Sequence, residues 1–359
     1  MKRVLVTGAG GSPAVNFTRS LRKAPEQFHL VGTDCDKYHL MRAETDQRYL
    51  VPAAQSARYI DVLNRIIDEE EIGFVHAQND AEVRVLSENR ELLHARTFLP
   101  SRRTVRICQD KFESYRCWQS AGLRVPGTMV IKSQDDLRDA LGRYGGQLWI
   151  RAAEGAGAKG ALPVHDFETG KAWLDFQKGW NGNFTAAELL APDSITWMSV
   201  WRQGRLVVAQ GRRRLYWELG RVSPSGVTGA TGAAVTVSDP ALDEISQRAV
   251  RAIDPEAEGL FGVDLTFDRN GVPNLTEINV GRFFTTHHFF TELGVNMPYI
   301  YTRLAHGEEP PRIGRRLNPA PDGMVWIRGI DFEPVLVSAA EIEAHVRRSD
   351  RFLTGSSGQ

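Results

Sequence analysis

The sequence predicts an α/β protein that begins with a doubly wound parallel sheet. Short apolar strands alternate with segments of helical periodicity in the N-terminal third of the chain. A glycine-rich turn joins the first strand to the first helix, and the second strand ends in an acidic residue. This alternation is typical of parallel sheets, because the crossover between two parallel strands usually contains a helix. Hairpin signals later in the chain predict antiparallel strands there.

The N-terminal elements follow one another along the chain. Apolar residues 3–7 form the first predicted strand, and residues 14–23 have the periodicity of a helix. Residues 29–34 form the second strand. A third strand over residues 72–76 comes after the helix-like segment 59–70. Together these elements predict a parallel sheet with helices on its faces.

Composition excludes several classes of protein. The 359 residues suffice for two or three domains, and 42% apolar with 25% charged residues is typical of a soluble globular protein. Forty-four basic residues balance forty-four acidic ones, so no overall field favours nucleic acid or a membrane as a partner. No apolar run approaches the ~20 residues of a membrane-spanning helix. The start of the chain lacks the pattern of a signal peptide, and the three cysteines are expected to be reduced, so we expect a cytoplasmic location.

The first glycine turn offers an alternative function. Gly8, Gly10 and Asp34 resemble part of a dinucleotide fingerprint, but Pro13 occupies the position of the third glycine. An NAD-dependent oxidoreductase built on the N-terminal sheet is therefore the alternative, and a tight strand-to-helix turn is the simpler interpretation. Asp80 follows the third strand, where it caps the next helix by default or else contacts substrate.

A glycine-rich loop predicts a phosphate site in the middle of the chain. The strand before the loop carries Arg151 in an otherwise apolar setting. Such a loop lets the backbone approach a polyanion and point N–H groups at it, although a flexible hairpin loop is the alternative. The candidate binding residues of the loop are Gly155, Gly157, Lys159 and Gly160.

Other basic residues stand where an anion could bind. Lys111 lies in the first turn of a predicted helix, where the helix dipole disfavours a cation unless a phosphate relieves it. Arg212, Arg213 and Arg214 leave a hairpin that is predicted to turn at residues 203–204. These arginines form either a solvated patch or part of a site that handles phosphate and carboxylate.

The strongest signal is a hairpin that presents two carboxylates. Asn270-Gly271 separates two strand-like runs, residues 259–268 and 272–280. With a two-residue turn, Asp264 lies directly opposite Glu277, with Cβ atoms roughly 5 Å apart. A register shift of one residue would remove this opposition, so the inference depends on the turn.

Opposed carboxylates repel each other unless a cation lies between them. Asn279 shares the face of Glu277, since side chains two residues apart in a strand point the same way. Asp264, Glu277 and Asn279 supply only oxygen ligands, which suit Mg²⁺ or Mn²⁺ rather than Zn²⁺. An exposed acidic hairpin tip is the alternative. Arg282 follows closely and is a candidate to stabilise charge on a transferred phosphoryl group.

This ordered set resembles the ATP-grasp superfamily, in particular the carbamoyl-phosphate synthetase large chain and biotin carboxylase. The resemblance extends from the N-terminus to about residue 306. It implies an N-terminal α/β domain followed by a two-lobed grasp fold of the α+β kind. The implied units are a pre-ATP-grasp domain over 1–102, a small lobe over 103–186, a large lobe with the metal hairpin over 187–308, and a C-terminal extension over 309–359.

The resemblance also implies roles for the candidate residues. Lys111, Arg151 and the glycine loop would hold the phosphates of ATP, and magnesium would bind Asp264, Glu277 and Asn279. Arg282 is similar to the family's arginine after the metal motif, offset by one position. Arg214 is the second candidate catalytic arginine, taken from the run of three arginines and not from the resemblance. The segment that would hold adenine between the lobes contains Glu188, Leu189 and Leu190.

The implied activity is a carboxylate–amine ligase that depends on ATP and magnesium. The γ-phosphoryl group would pass to a small-molecule carboxylate, and an amine or similar nucleophile would then attack the acyl phosphate, releasing ADP and phosphate. Many such enzymes are dimers, so a homodimer is an open expectation. A non-catalytic nucleotide-binding module is a further alternative.

Overall fold

The computed structural model describes residues 1–153, 160–329, 335–341 and 343 of the chain. Within these residues the strands are β1 (Lys2–Thr7), β2 (Phe28–Asp34), β3 (Gln47–Leu50), β4 (Phe74–His76), β5 (Thr128–Ile131), β6 (Leu148–Ala152), β7 (Leu162–Val164), β8 (Phe184–Glu188), β9 (Ser194–Arg202), β10 (Arg205–Trp217), β11 (Thr231–Val237), β12 (Gly259–Phe267), β13 (Pro273–Val280), β14 (Met324–Ile327) and β15 (Val335–Ser338). The helices are α1 (Ser12–Arg22), α2 (Lys37–Leu40), α3 (Tyr59–Glu69), α4 (Asp80–Glu88), α5 (Arg102–Gln109), α6 (Lys111–Ser120), α7 (Gln134–Arg143), α8 (Phe167–Gln177), α9 (Pro240–Ile253), α10 (His288–Glu292) and α11 (Met297–Ala305).

The N-terminal sheet is parallel, as the sequence predicted. Its strand order is β3-β2-β1-β4, and each neighbouring pair runs in the same direction. The predicted strands and helices of this region are observed, and β3 joins them as a strand that the periodicity did not reveal. Pro13 lies in the first turn of α1, where its missing N–H costs no hydrogen bond.

The rest of the chain forms two antiparallel sheets. A four-stranded sheet has the order β5-β8-β6-β7, and a seven-stranded sheet has the order β13-β12-β9-β10-β11-β14-β15. Strand β14 pairs with β11, so part of the C-terminal extension belongs to the large sheet. Among the described residues, none of the helices combines the length and apolar character needed to cross a bilayer.

The apolar cores show which elements are packed together. The four-stranded sheet has a core of its own, made of residues between Ile131 and Ala186. Helices α5 and α6 instead bury Val105 and Trp118 in a core shared with α9, β12 and the N-terminal domain. Trp118 donates a hydrogen bond from Nε1 to a backbone oxygen of α9 at 3.0 Å. The large sheet and the N-terminal domain are therefore in close contact, and the four-stranded sheet is attached as a separate lobe.

Candidate active site

The hairpin β12–β13 turns over three residues, not over the two that the sequence predicted. Asp268 donates its backbone N–H to the oxygen of Val272 at 2.9 Å, which leaves three residues between them. Gly271 has a φ of +75°, a left-handed conformation that glycine adopts without strain. A loop of this length shifts the pairing by one residue and by itself would place Asp264 opposite Thr276.

A β-bulge at Thr276 reverses that shift. Leu265 pairs with Leu275, whereas Asp264 pairs with Glu277, so Thr276 is the extra residue on β13. The Thr276 hydroxyl donates to the backbone oxygen of Asp264 at 3.1 Å. The predicted opposition of Asp264 and Glu277 is confirmed although the predicted turn is wrong, because the longer turn and the bulge compensate.

Asp264 is held by neutral donors and surrounded by charges. Its Oδ1 accepts a hydrogen bond from Thr196 Oγ1 at 2.5 Å, and its Oδ2 accepts one from Asn279 Nδ2 at 3.2 Å. Burial raises the pKa of Asp264, Arg214 opposes that shift, and Glu277 adds to it. The two carboxylates and the amide therefore converge on one face of the hairpin, as the sequence predicted.

Arg282 connects this face to the N-terminal domain. Its guanidinium binds Asp80 through two hydrogen bonds of 2.5 and 3.0 Å, and its Nη2 also donates to Asn279 Oδ1 at 2.5 Å. Burial lowers the pKa of Arg282, but the contact with Asp80 outweighs burial and leaves that pKa raised. The default interpretation of Asp80 as a helix cap is wrong, because Asn79 caps α4 by accepting from the N–H of Glu82 at 2.9 Å.

The three adjacent arginines continue within β10 rather than leaving the hairpin. Side chains alternate along a strand, so Arg213 points to the opposite face, where it pairs with Asp193 at 3.0 Å. Arg212 and Arg214 lie on the face of Asp264, and both guanidinium groups interact electrostatically with that carboxylate. The sequence cluster is thus divided between two faces.

Arg214 is fixed by its neighbours on this face. It donates to Ser194 Oγ at 2.6 Å and to Thr231 Oγ1 at 3.2 Å. Its guanidinium stacks 3.6 Å from the ring centroid of Trp217. Planar stacking and directed donors preorganise an arginine for an anion.

Lys111 and Arg151 approach the hairpin from two different elements. Lys111 begins α6 and its Nζ lies 3.9 Å from Glu277 Oε1, while Asp110 caps the helix. Arg151 lies on β6 and interacts electrostatically with Lys111 and with Tyr115. Burial lowers the pKa of Lys111, and the nearby positive charge of Arg151 lowers it further. The carboxylate of Glu277 acts in the opposite direction but does not outweigh burial. Lys111 and Arg151 are therefore close to each other and to Glu277.

The glycine loop is described only at its end. Gly160 has a φ of +62°, and its backbone oxygen accepts a hydrogen bond from Trp173 Nε1 at 2.9 Å. The other predicted loop residues, Gly155, Gly157 and Lys159, lie outside the described residues.

The predicted adenine segment lies where the two lobes join. Glu188 ends β8, and its Oε2 accepts a hydrogen bond from the N–H of Gly127 at 3.2 Å. Leu189 and Leu190 are half-buried, and the next residue, Ala191, hydrogen-bonds to the end of β12 at 2.8 Å. The segment thus connects the small sheet directly to the strand that carries Asp264.

The dinucleotide features of the N-terminal turn are used for internal packing. Asp34 accepts a hydrogen bond from the backbone N–H of Gly10 at 3.2 Å. A Cβ at Gly10 would lie 1.8 Å from the backbone oxygen of His39, so glycine is required by the close approach of α2. The turn therefore needs no cofactor to explain its glycine.

The hairpin residues fit a divalent cation. The described part of the chain has no cluster of three His, Cys, Asp or Glu side chains that could hold a metal. The hairpin offers three oxygen ligands only when the amide oxygen of Asn279 is counted with the two carboxylates. Such a set suits magnesium, whose remaining ligands are usually water and phosphate oxygens. The opposed carboxylates of Asp264 and Glu277 favour such a cation, because it would relieve their repulsion.

Comparisons with known proteins concern the N-terminal domain and the overall fold. Residues 4–97 match the family described as the PylC-like N-terminal domain. No curated protein matches the chain by sequence. Among solved structures, the fold is similar to a carboxyaminoimidazole ribonucleotide synthase from Aspergillus clavatus in complex with ATP, at 12% identity over 97% of each chain and a TM-score of 0.70.

Two further structures have a similar fold. An L-amino acid ligase from Bacillus licheniformis superposes with a TM-score of 0.68, at 12% identity over 98% of this chain and 97% of that one. A biotin carboxylase from Campylobacter jejuni gives 0.67, at 15% identity over 90% and 75% of the two chains. Identities this low establish the fold and not the substrate. The chain has the ATP-grasp fold that its motifs predicted.

Proposed function

We propose that this protein is a ligase that uses ATP and magnesium to activate a substrate carboxylate as an acyl phosphate, which an amine or similar nucleophile then attacks. The observation that carries the proposal is the direct opposition of Asp264 and Glu277, with Lys111 at 3.9 Å from Glu277. Two facing carboxylates and a lysine at a helix start form a site for a metal-bound polyphosphate. The ligase titles of the similar structures support the same reaction class.

The proposed roles of the residues follow from their positions around the site. Asp264, Glu277 and Asn279 would hold magnesium, which neutralises phosphate charge during transfer. Lys111 and Arg151 bind phosphate oxygens from the other side of the cleft, together with the glycine loop. The adenine ring would lie against Glu188, Leu189 and Leu190, where the two lobes join.

Arg214 and Arg282 would stabilise the charge that moves during the reaction. Arg214 is fixed by Ser194 and Trp217, and Arg282 is fixed by Asp80, so neither guanidinium has to be reorganised when charge develops. Closure of the small lobe would exclude water and so protect the acyl phosphate from hydrolysis. A cytoplasmic small-molecule enzyme, acting as a monomer or homodimer, is consistent with this scheme.

The decisive experiment is calorimetric titration with AMP-PNP, with and without Mg²⁺. We expect metal-dependent binding to the wild type and a loss of about 100-fold or more in the Asp264→Asn/Glu277→Gln variant, since each carboxylate is a metal ligand. Asp193→Asn is the matched control, because Asp193 pairs with Arg213 on the opposite face. Unchanged Mg²⁺-dependent binding in the double variant would disprove the metal site.

The two alternatives make different predictions in the same assay. An oxidoreductase built on the N-terminal sheet would bind NADH and not AMP-PNP, although Gly10 and Asp34 are already engaged with each other. A non-catalytic nucleotide-binding module would bind AMP-PNP but release no ADP with any acid and amine. Measurement of ADP release across a panel of acids therefore separates the ligase from the module.

A further inference from the structure

Arg212 is a buried cation without a matching anion. Its side chain is only 2% exposed. Its Nη1 makes a long hydrogen bond of 3.4 Å to Thr231 Oγ1, and its guanidinium lies 4.3 Å from the ring centroid of Phe284. Across the described residues, its Nε has no hydrogen-bond partner and no carboxylate forms an ion pair with it. Burial lowers the pKa of Arg212, and the nearby Arg214 lowers it further.

Such an arrangement is costly to the folded protein. A buried guanidinium without an ion pair loses its hydration, and the long hydrogen bond to Thr231 and the contact with the Phe284 ring compensate for that loss only in part. Asp264 is the carboxylate that offsets this cost electrostatically. Because Asp264 is also the proposed metal ligand, its charge would be shared with a cation when the site is loaded. An anion from outside the chain would then be needed beside Arg212.

The position of Arg212 shows which part of a substrate it would meet. Directly paired residues connect Glu277 to Asp264, Asp264 to Thr196, and Thr196 to Arg212 across four neighbouring strands. Neighbouring strands lie about 4.8 Å apart, so the Cα atom of Arg212 is roughly 10 Å beyond that of Asp264. Lys111 is at the Glu277 end of this row. The nucleotide therefore approaches from one end, and Arg212 stands at the other.

We propose that the substrate acid carries a second anionic group, a carboxylate or a phosphate, and that Arg212 binds this group. The inference rests on the proposed ligase function, which assigns Arg214 and Arg282 to the reacting centre. Arg212 and Arg214 lie on the same face of the sheet. A monocarboxylic acid would neutralise Arg214 and leave Arg212 without an anion. Arg212 is thus a specificity-determining residue, and Phe284 holds its planar guanidinium in place for bidentate binding.

Thermal denaturation in the presence of Mg²⁺ and saturating AMP-PNP tests the proposal. The probes are acetate as a monoacid, succinate and glutarate as dicarboxylates, and phosphoglycolate as a phosphate-bearing acid. We expect at least one diacid to raise the melting temperature of the wild type while acetate does not. The Arg212→Met variant should need about tenfold or more higher diacid concentration for the same shift. Arg213→Met is the control and should respond as the wild type does, since Arg213 faces away.

The ligand-free protein provides a second measurement. If Arg212 serves to bind a ligand, Arg212→Met replaces an unpaired buried charge by an apolar side chain, and the melting temperature should stay the same or rise. If Arg212 instead stabilises the fold, the same variant should melt at a lower temperature. If Arg212→Met does not fold, Arg212→Lys keeps the charge without the fork and should weaken diacid binding in a folded protein.

The outcomes separate the two proposals. Equal diacid shifts in the wild type and the Arg212 variants, or no diacid shift in a wild type that binds Mg²⁺ and AMP-PNP, would overturn the inference and leave the ligase proposal intact. Failure of the wild type to bind AMP-PNP would overturn both.

Discussion

Two buried carboxylates in this protein have opposite surroundings. Glu82, in the N-terminal domain, is 6% exposed and accepts hydrogen bonds from three neutral groups. Thr7 donates to it at 2.5 Å, Asn79 at 2.6 Å and Tyr59 at 3.3 Å. Asp264, in the large lobe, also has neutral donors, but two arginines and a second carboxylate surround it.

The contrast between neutral and charged neighbours suggests a structural role for the Glu82 carboxyl group and agrees with the binding role proposed for Asp264. Burial raises the pKa of Glu82 to about 7, so its protonated form is stable in the fold near neutral pH, and its donors fill its hydrogen-bonding capacity. Asp264 shares one face of the large sheet with Glu277 on the neighbouring strand and with the buried Arg212 two strands away. Neutral donors complete the Glu82 site within the chain, whereas on the proposed function a bound cation and a bound anion would balance the charges around Asp264.

The largest expected effect is on stability, from a change that leaves the donors of Glu82 without an acceptor. Glu82→Leu leaves the buried hydroxyls of Thr7 and Tyr59 without their shared acceptor, whereas the exposed Asn79 amide can turn to water. The free energy of unfolding should fall by about 3 to 5 kcal/mol, measured by urea denaturation. A change below about 1 kcal/mol would contradict the structural role assigned to Glu82.

The next effect is the pH dependence of stability. The pKa of Glu82 rises from 4.5 to about 7 on folding, so the folded state keeps a proton that the unfolded state releases in this window. Stability from this group is therefore lost as the pH rises from 4.5 to about 7. Glu82→Gln should remove that loss, so that relative to wild type the variant gains up to about 3 kcal/mol between pH 4.5 and pH 8.

The control for this measurement is internal. Buried His76 and His287 have pKa values lowered to about 3, so they destabilise the fold as the pH falls below 6.5 in both proteins alike. Their contribution cancels in the difference between variant and wild type. A difference that does not change with pH would show that Glu82 is ionised in the folded protein.

The smallest expected effect concerns the link between the two regions. Asp80→Asn keeps the size of the side chain but weakens its hold on Arg282, which also contacts Asn279. Once a substrate pair is known, the rate of ADP release should fall about tenfold to 100-fold, with AMP-PNP affinity changed much less. An equal loss of nucleotide affinity would show that Asp80 supports the metal site rather than the orientation of Arg282.

Much of the site was predictable because it depends on local pattern. Alternation along β12 and β13 places Asp264, Glu277 and Asn279 on one face, and a glycine turn requires the two strands to pair. The exact turn was not predictable, because Asn-Gly suits both a two-residue and a three-residue loop. The bulge at Thr276 left no sequence signal, and the register was right only because the two departures compensated.

The contacts between distant parts of the chain were not predictable from pattern. Asp80 and Arg282 are 202 residues apart in sequence, so periodicity cannot show that they pair. Arg212 appeared as one of three adjacent arginines, and alternation along the strand could have divided the cluster had the run been recognised as part of β10. Its burial under Phe284 depends on a packing partner that local sequence does not indicate.

The sequence by itself determined the α/β class, the parallel N-terminal sheet and the acidic hairpin, because hydrophobic period and turn chemistry are local properties of the chain. Only the tertiary structure decided which charges are buried and which are paired with other side chains. Lys111 meets Glu277, Arg282 meets Asp80, and Arg212 lacks a carboxylate within ion-pair distance among the described residues. The free energy of a charge depends on its desolvation and on neighbours from other elements, so it is fixed only when those elements have packed together.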